Sequence, residues 1–427
     1  MYSILSVHAR HILDSRANPT IEVEVELEGG GFGRAIAPAG ASTGRFEAHE
    51  LRDGGAAAGG LGVMRAVGHV NHEIADLLSG LDAREQIHID WLLCELDGTP
   101  NKQRVGANAI LATSLAVAHA AADASGEGLW RYLGGAFAHT LPVPLVNIIN
   151  GGAHADNALD VQEFMIVPVG ACNFADAISK VVEVYHALKA VLRSRGLSVN
   201  IGDEGGFAPD LATSREALDM MMQAITQAGF TPGDEMMLAI DCAASEYFKD
   251  GAYHLKGEQR QLSVDGQIAW LDGLVRDYPV FSIEDGCAEE DWAGWSQLYQ
   301  AIGDKVQLVG DDVFVTNFAR INQGIAEKAA NAVLIKPNQI GSLTETMEAI
   351  RLVQSNGWNA VISHRSGESE DTTIADLAVA VNAGQIKTGS VARSERTAKY
   401  NRLLRIEAQL GNQARYGGHK PGLNPLA

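Results

Sequence analysis

Residues 280–286 read VFSIEDG, 306–312 VQLVGDD, 331–337 NAVLIKP, 359–365 NAVISHR and 385–390 QIKTGS. Each is a short apolar run, rich in β-branched residues, that stops on a polar side chain: Glu284, Asp311, Lys336, His364 and Lys387. Successive stops lie 27, 25, 28 and 23 residues apart. That interval holds one strand, one helix and two turns, and strands that alternate with helices in this way pair in parallel. Upstream, 238–243 (LAIDCA) is a sixth run of the same kind, with Asp241 at its stop. Six or more such units predict a parallel α/β barrel. Chemistry in a barrel sits at the C-terminal ends of the strands, which is where these charged residues fall. The runs share no sequence signature, so the periodicity is organisational and not that of a solenoid.

The chain before these units has a different pattern. Its first ~35 residues read as a β-meander. From 20 to 27, Ile21, Val23, Val25 and Leu27 alternate with Glu22, Glu24 and Glu26. This is a strand with one face buried and one wet. Gly29, Gly30 and Gly31 make a turn, and 38–44 (PAGASTG) is a small-residue loop without periodicity. Residues 63 to about 133 carry a helical pattern. The stretch 107–124 includes Asn108, Thr113, Ser114, His119 and Asp123. It therefore reads as an Ala-rich buried helix and not as a membrane span. A Gly-Gly pair at 134–135, with Pro142 and Pro144 after it, suggests a boundary. The expected division is an N-terminal α+β capping domain over 1–134 and a barrel over 135–427.

Composition narrows the function. With 427 residues the chain exceeds one ordinary core. It is 46% hydrophobic and 20% charged, an ordinary globular balance. A formal net charge of −20 disfavours nucleic acid and anionic membrane as partners. An anionic substrate would then need local positive charge from metal ions or clustered Lys, Arg and His. Cys94, Cys172, Cys242 and Cys287 are scattered and form no C-x-x-C pair, which argues against zinc and disulfides and for a reduced, cytoplasmic setting. Arg10, Asp14 and Arg16 interrupt any apolar leader.

Asp241, Glu284 and Asp311 end successive strands. Three carboxylates converging on one barrel mouth repel unless a cation lies between them. Oxygen ligands without His or Cys favour Mg²⁺ or Mn²⁺ over zinc. A helix cap or solvated turn is the bland alternative for any one of them. Lys336 and Lys387 also end strands. A neighbouring metal ion and a second ammonium disfavour the protonated lysine, so such a residue can act as a base, although a lone lysine could simply pair with an acid. In 202–207 (GDEGGF), Asp203 and Glu204 are adjacent. A neighbouring carboxylate can raise proton affinity, which suits a general acid, and an ordinary surface turn is the alternative. His154, Gln162 and Glu163 are weak signals by themselves. His364, Arg365 and Ser366 follow a strand and precede a helical segment, a setting for a phosphate or carboxylate site or for a helix cap.

The blocks GASTG, ELRDG, GANAILA, NIINGGAHADN, QEFMI, GDEGGFAP, DCAASE, SIEDG, LVGDD, IKPNQIGSLTE, VISHRSGE, IADLAV and IKTGS occur in this order along nearly the whole chain. In them the sequence resembles the enolase family. The resemblance implies a ββαα(βα)₆ barrel capped by an N-terminal α+β domain, two Mg²⁺ ions in each site, and at least a homodimer. It implies Asp241, Glu284 and Asp311 as ligands of the catalytic ion, with Ser42 on a mobile loop helping to hold the second. It implies Lys336 as the base at substrate C2 and Glu204 as the acid at C3, with Glu163, His364 and Lys387 also in the catalytic set. Substrate contacts are implied for His154, Gln162, Glu163, His364, Arg365, Ser366 and Lys387. The implied reaction is reversible dehydration of a small phosphorylated acid, 2-phosphoglycerate, to phosphoenolpyruvate. Four residues depart from the family pattern: Ala17 where Gly is usual, Ala39 where Ser is usual, Pro337 in place of an apolar residue after the lysine, and Cys287 in place of Leu. These admit an alternative, a relative acting on a modified phosphoglycerate in the manner of carboxyphosphonoenolpyruvate synthase.

Overall fold

The computed structural model of the chain describes residues 1–40 and 43–417, so the loop residue Ser42 lies outside the described residues. Strands β1 (Ile4–Leu13), β2 (Pro19–Leu27) and β3 (Phe32–Ile36) form an antiparallel sheet in that order. Ile21, Val23, Val25 and Leu27 are buried, as their alternation predicts. The acidic face is less uniform. Glu26 is exposed, but Glu22 is buried. Arg10 on β1 donates to Glu22 Oε1 at 2.6 Å, and Arg34 on β3 lies 3.7 Å from its other oxygen. Partners on both neighbouring strands cover a carboxylate that alternation alone would leave wet. Arg10 remains 41% exposed, so this pair contributes at most about 1 kcal/mol.

Helices α1 (Gln86–Asp97) and α2 (Ala107–Ala124) belong to the same unit. α2 is buried along nearly its whole length, consistent with its Ala-rich composition. It presses closely on β3. A Cβ on Gly33 would stand 2.0 Å from the Ala116 carbonyl oxygen and 2.3 Å from the Ala120 nitrogen, so only glycine permits this approach.

The barrel opens with β4 (Val143–Asn150) and β5 (Glu163–Val167), followed by helices α3 (Phe174–Ser194) and α4 (Ser214–Gln227). Six strand–helix units follow: β6 (Met237–Asp241) with α5 (Val264–Asp277), β7 (Val280–Glu284) with α6 (Trp292–Ile302), β8 (Gln307–Gly310) with α7 (Phe318–Glu327), β9 (Ala332–Ile335) with α8 (Leu343–Ser355), β10 (Asn359–Ser363) with α9 (Thr373–Ala380), and β11 (Gln385–Lys387) with α10 (Ser394–Leu410). The strands close in the order β7-β8-β9-β10-β11-β4-β5-β6. Only β5 runs antiparallel to its neighbours. This is the ββαα(βα)₆ arrangement of an α/β barrel. Local sequence starts most of its helices: Asn173, Thr213, Ser263, Asp291, Asn317 and Ser342 each cap a helix by accepting a first-turn N–H.

The N-terminal unit reaches the barrel mouth through two backbone contacts. The Ser15 N–H donates to the Glu368 carbonyl at 2.7 Å, and Ala39 exchanges hydrogen bonds of 3.2 and 2.9 Å with Gly367. The first contact hangs from a turn in which Asp14 Oδ1 accepts the N–H groups of Arg16 and Asn18, both at 2.8 Å. All four cysteines are free thiols. Among the described residues, no helix is long and apolar enough to cross a membrane.

Ala17, in that turn, has a φ of +60°. A side chain there costs about 1 kcal/mol relative to glycine. Part of the gain from Ala17→Gly is offset by the freer unfolded chain, worth roughly 0.4–1 kcal/mol. Ala17→Gly is therefore expected to raise stability by up to about 0.6 kcal/mol, and Ala17→Val to lower it. Urea unfolding midpoints at constant slope measure both. A lower midpoint for Ala17→Gly, or an unchanged one for Ala17→Val, would refute strain at this turn.

Candidate active site

Strand register assembles the first part of the site. Glu163 pairs with Asp241 across β5 and β6, and Asp241 pairs with Glu284 across β6 and β7. Three carboxylates thus stand side by side at adjacent strand ends. Lys387, the last residue of β11, meets them from across the mouth. Its Nζ donates to Asp241 Oδ2 at 3.0 Å and to Glu284 Oε1 and Oε2 at 2.8 and 2.9 Å, and lies 3.1 Å from Glu163 Oε1. Burial alone would lower the Lys387 pKa, but Asp241, Glu163 and Glu284 outweigh it and hold the ammonium protonated. Burial, with repulsion from neighbouring carboxylates, pushes Glu163 and Glu284 well above the usual carboxylate range.

Asp311 follows β8. Its Oδ2 accepts from Lys336 Nζ at 2.5 Å and its Oδ1 from Gln339 Nε2 at 2.9 Å. Burial opposes ionisation of Asp311, yet the Lys336 ammonium holds its pKa below the ordinary value. Asp285 accepts the backbone N–H groups of Asp311 and Asp312 at 2.8 and 3.0 Å. Burial, then the Asp311 charge, pushes Asp312 up to about 8. Lys336 in turn is governed by its pairing with Asp311. Burial lowers its pKa, but the Asp311 carboxylate prevails and raises it. The ammonium is stabilised by an acid that the sequence assigns to a metal.

Glu204 lies on the turn 202–207, and Asp203 does not raise its proton affinity as adjacency suggests. Asp203 points to a wetter environment, 43% exposed and 3.5 Å from Arg16 Nε, whereas Glu204 is buried. Asn147 Nδ2 donates to Glu204 Oε2 at 3.2 Å. His364 Nε2 lies 3.3 Å and His154 Nδ1 3.7 Å from Oε1. Burial would raise the Glu204 carboxyl. The two imidazoles and the nearby Arg396 guanidinium outweigh it and hold the carboxyl well below the usual range. Burial also pushes His154 down and, with help from Arg396, takes His364 to about 4.

These groups enclose a small polar cavity at the C-terminal mouth. Its wall includes His154, Gln162, Glu163, Glu204, Asp241, Asp311, Lys336, His364, Arg365, Ser366 and Lys387. Glu284 joins it through Lys387. Ser42 lies outside the described residues. The donor set fits a hard divalent cation. Asp241, Glu284 and Asp311 are oxygen donors, and Gln162 Oε1 and Glu163 Oε2 are buried without a hydrogen-bond partner. Among the described residues, the groups whose donor atoms fall within 4.8 Å of one another are His154–Glu163–Glu204 and Asp285–Asp311–Asp312. Asp241, Glu284 and Asp311 do not form such a group; Lys387 pairs with the first two and Lys336 with the third.

Several residues here had no sequence signal. Glu47 accepts from Arg365 Nη1 and Nη2 at 2.9 and 3.2 Å and from the Gly44 N–H at 2.9 Å, joining the loop to the barrel. Arg396, at the start of α10, reaches His364 and three backbone carbonyls. Both act across long sequence separations from stretches with no motif of their own. Pro337 is at the first position of a short helix, Pro337–Ile340, where a missing N–H costs nothing, and Lys336 before it has the extended backbone that proline requires. Cys287 is buried among apolar neighbours, and burial pushes its thiol up to about 12.

Residues 138–424 match the family model described as enolase, C-terminal TIM barrel domain, and residues 4–133 match the enolase N-terminal domain. Both matches agree with the closed eight-stranded barrel and its capping sheet, and between them they span nearly the whole chain: it belongs to the enolase family, and is a metal-dependent dehydratase of that superfamily.

Proposed function

We propose that the protein dehydrates 2-phosphoglycerate to phosphoenolpyruvate. The observation that carries this reading is the placement of Lys336 and Glu204. One follows β9, the other sits on the turn after α3, and both line one cavity together with Arg365, Ser366 and Lys387. A base and an acid on separate elements can work on two carbons of one small substrate. The Arg365 fork and the Ser366 hydroxyl suit its phosphate. The Lys387 ammonium, placed among carboxylates, suits its carboxylate. Lys336 takes the C2 proton, and Glu204, hydrogen-bonded by Asn147 and beside His364, delivers a proton to the departing C3 hydroxyl, a proton it must gain in the substrate complex because its surroundings hold it ionised in the free site. Asp241, Glu284 and Asp311 hold the divalent cation, Mg²⁺. When bound, it offsets the second negative charge that builds on the substrate carboxylate and competes with Lys336 for Asp311; enolase-type sites are the standard example of such stabilisation.

The departures from the family pattern favour the ordinary substrate. Ala39 meets the barrel through its backbone, by its exchange with Gly367, so loss of a hydroxyl there leaves that contact in place. Pro337 supports the extended conformation of Lys336. Neither enlarges the site for a bulkier acid.

Two measurements test this. Phosphoenolpyruvate formation from 2-phosphoglycerate, followed by absorbance, should require Mg²⁺. It should fall at least about a hundredfold in Asp241→Asn, Glu284→Gln and Asp311→Asn while circular dichroism stays unchanged. Full activity after EDTA treatment would refute the metal assignment, and turnover of a carboxyphosphonate analogue in preference to 2-phosphoglycerate would refute the substrate. Separately, Lys336→Ala should lose exchange of the substrate C2 proton with D₂O. Glu204→Gln should keep measurable exchange and lose dehydration by roughly a hundredfold or more. Normal exchange in Lys336→Ala would identify another residue as the base.

A further inference from the structure

Arg396 is fully buried, and its surroundings are unusual for a cation. Three of its hydrogen bonds go to backbone carbonyls: Nη1 to Arg365 at 2.6 Å, and Nη2 to Ser366 at 2.5 Å and Asp203 at 3.2 Å. The fourth runs from Nη1 to His364 Nδ1 at 2.5 Å. The nearest carboxylate oxygen, Glu395 Oε1, is 3.6 Å from Nε, and Nε has no hydrogen-bond partner. A buried guanidinium without a bonded carboxylate is costly. Its environment is nevertheless built around it. Gly389, at a φ of +75°, leaves the space that Arg396 Cδ occupies, since a Cβ there would stand 2.8 Å from it.

Donor chemistry fixes what this contact means. A guanidinium has only N–H donors and no lone pair to offer. His364 Nδ1 must therefore accept, and it carries no proton. The ring is neutral, with its one proton on Nε2, the nitrogen 3.3 Å from Glu204 Oε1. Other charged groups near the ring are consistent with this. Glu204 faces Nε2, Arg396 faces Nδ1, and Glu368 is engaged at 2.7 Å by the buried Lys399.

We propose that Arg396 is a positioning residue that locks His364 as the neutral Nε2–H tautomer, so that the imidazole donates to Glu204 and cannot accept from it. The three carbonyls hold the guanidinium at the joint between the 363–366 and 202–204 segments, so the two segments that carry the acid and its donor are registered by one side chain. This deepens the dehydratase reading, and rests on it only in that His364 and Glu204 belong to its site. A ring that is always a donor toward Glu204 cannot take a proton from it, so the ring does not compete with the leaving hydroxyl for a proton that Glu204 carries once substrate is bound.

The tautomer is directly observable in the full-length protein labelled with ¹⁵N-histidine. Long-range ¹⁵N–¹H correlation at neutral pH, with His364 assigned by its disappearance in His364→Gln, should give an unprotonated Nδ1 and a protonated Nε2. In Arg396→Met the ring should populate the other tautomer or become doubly protonated at mildly acidic pH. Arg396→Lys, which keeps a cation that can only donate, should restore the wild-type signature at least in part. A protonated Nδ1 in the wild-type protein would overturn the proposal, and that spectrum decides even if Arg396→Met does not fold. Unchanged His364 resonances in a folded Arg396→Met would overturn it equally. Because the spectrum is read without substrate, the expected tautomer in a protein that fails to turn over 2-phosphoglycerate would support this proposal while removing the proposed reaction.

Discussion

Buried negative charge at the barrel mouth is the constraint that the rest of the site answers to. Glu163, Glu204, Asp241, Glu284, Asp285 and Asp311 are nearly inaccessible to water and lie at or just beyond strand ends and turns facing one another. Water cannot screen them there, so each needs a cation or a set of N–H donors close by. Lys387 serves three of the carboxylates, Lys336 serves one, and Asp285 is met by backbone N–H groups. Even so, Glu163, Glu284 and Asp285 remain pushed up well above their ordinary pKa values. The protein supplies too little positive charge of its own, and an all-oxygen divalent cation site is the chemistry that fits the deficit.

This constraint also explains the division of labour between the two parts of the chain. Parallel strands in register bring the acids to one level, because each strand contributes the residue at its C-terminal end. The same geometry cannot close the mouth from above. The N-terminal unit packs against the mouth, through backbone pairs at Ser15 and Ala39 and through Glu47 on Arg365. The Glu47–Arg365 ion pair is buried, so its geometry is held tightly, and it ties a loop residue to the guanidinium that faces the cavity from the other side.

How much of this was legible in the sequence follows from how local each signal is. The strand ends at Asp241, Glu284, Asp311, Lys336, His364 and Lys387 were legible because a hydrophobic run stopping on a polar residue is a local pattern, repeated from Glu284 onward every 23 to 28 residues. The ββ start of the barrel was legible only through family resemblance, since β4 and β5 carry no alternating pattern and are buried throughout. The burial of Glu22 was not legible, because its partners lie on two other strands. Glu204 was singled out as a candidate on an electrostatic argument that its surroundings reverse. Adjacency in sequence placed Asp203 beside it, while the turn sends the two side chains into different surroundings. Arg396 and Glu47 were invisible for the same reason as Glu22: what they do is defined by a contact across more than thirty or three hundred residues.

The four departures from the family pattern can be separated by the same physical test, namely whether the position acts through its backbone or its side chain. At Ala39 the backbone makes the contact with Gly367, so a change of side chain alters little. At Pro337 the ring enforces a conformation that the chain needs in any case, as first residue of a helix following an extended lysine. At Cys287 a buried thiol fills apolar space and, with its pKa raised, stays a thiol. Only at Ala17 do backbone and side chain conflict, because a positive φ is imposed by the Asp14 turn and glycine would accept it without cost. That turn lies next to Ser15, which pairs with Glu368, and Glu368 in turn bonds Lys399 beneath the His364–Arg365 segment. Strain at Ala17 is thus carried at the edge of the capping contact and not inside the cavity. It acts on how firmly the cap seats, and leaves the arrangement of acids and lysines at the mouth untouched.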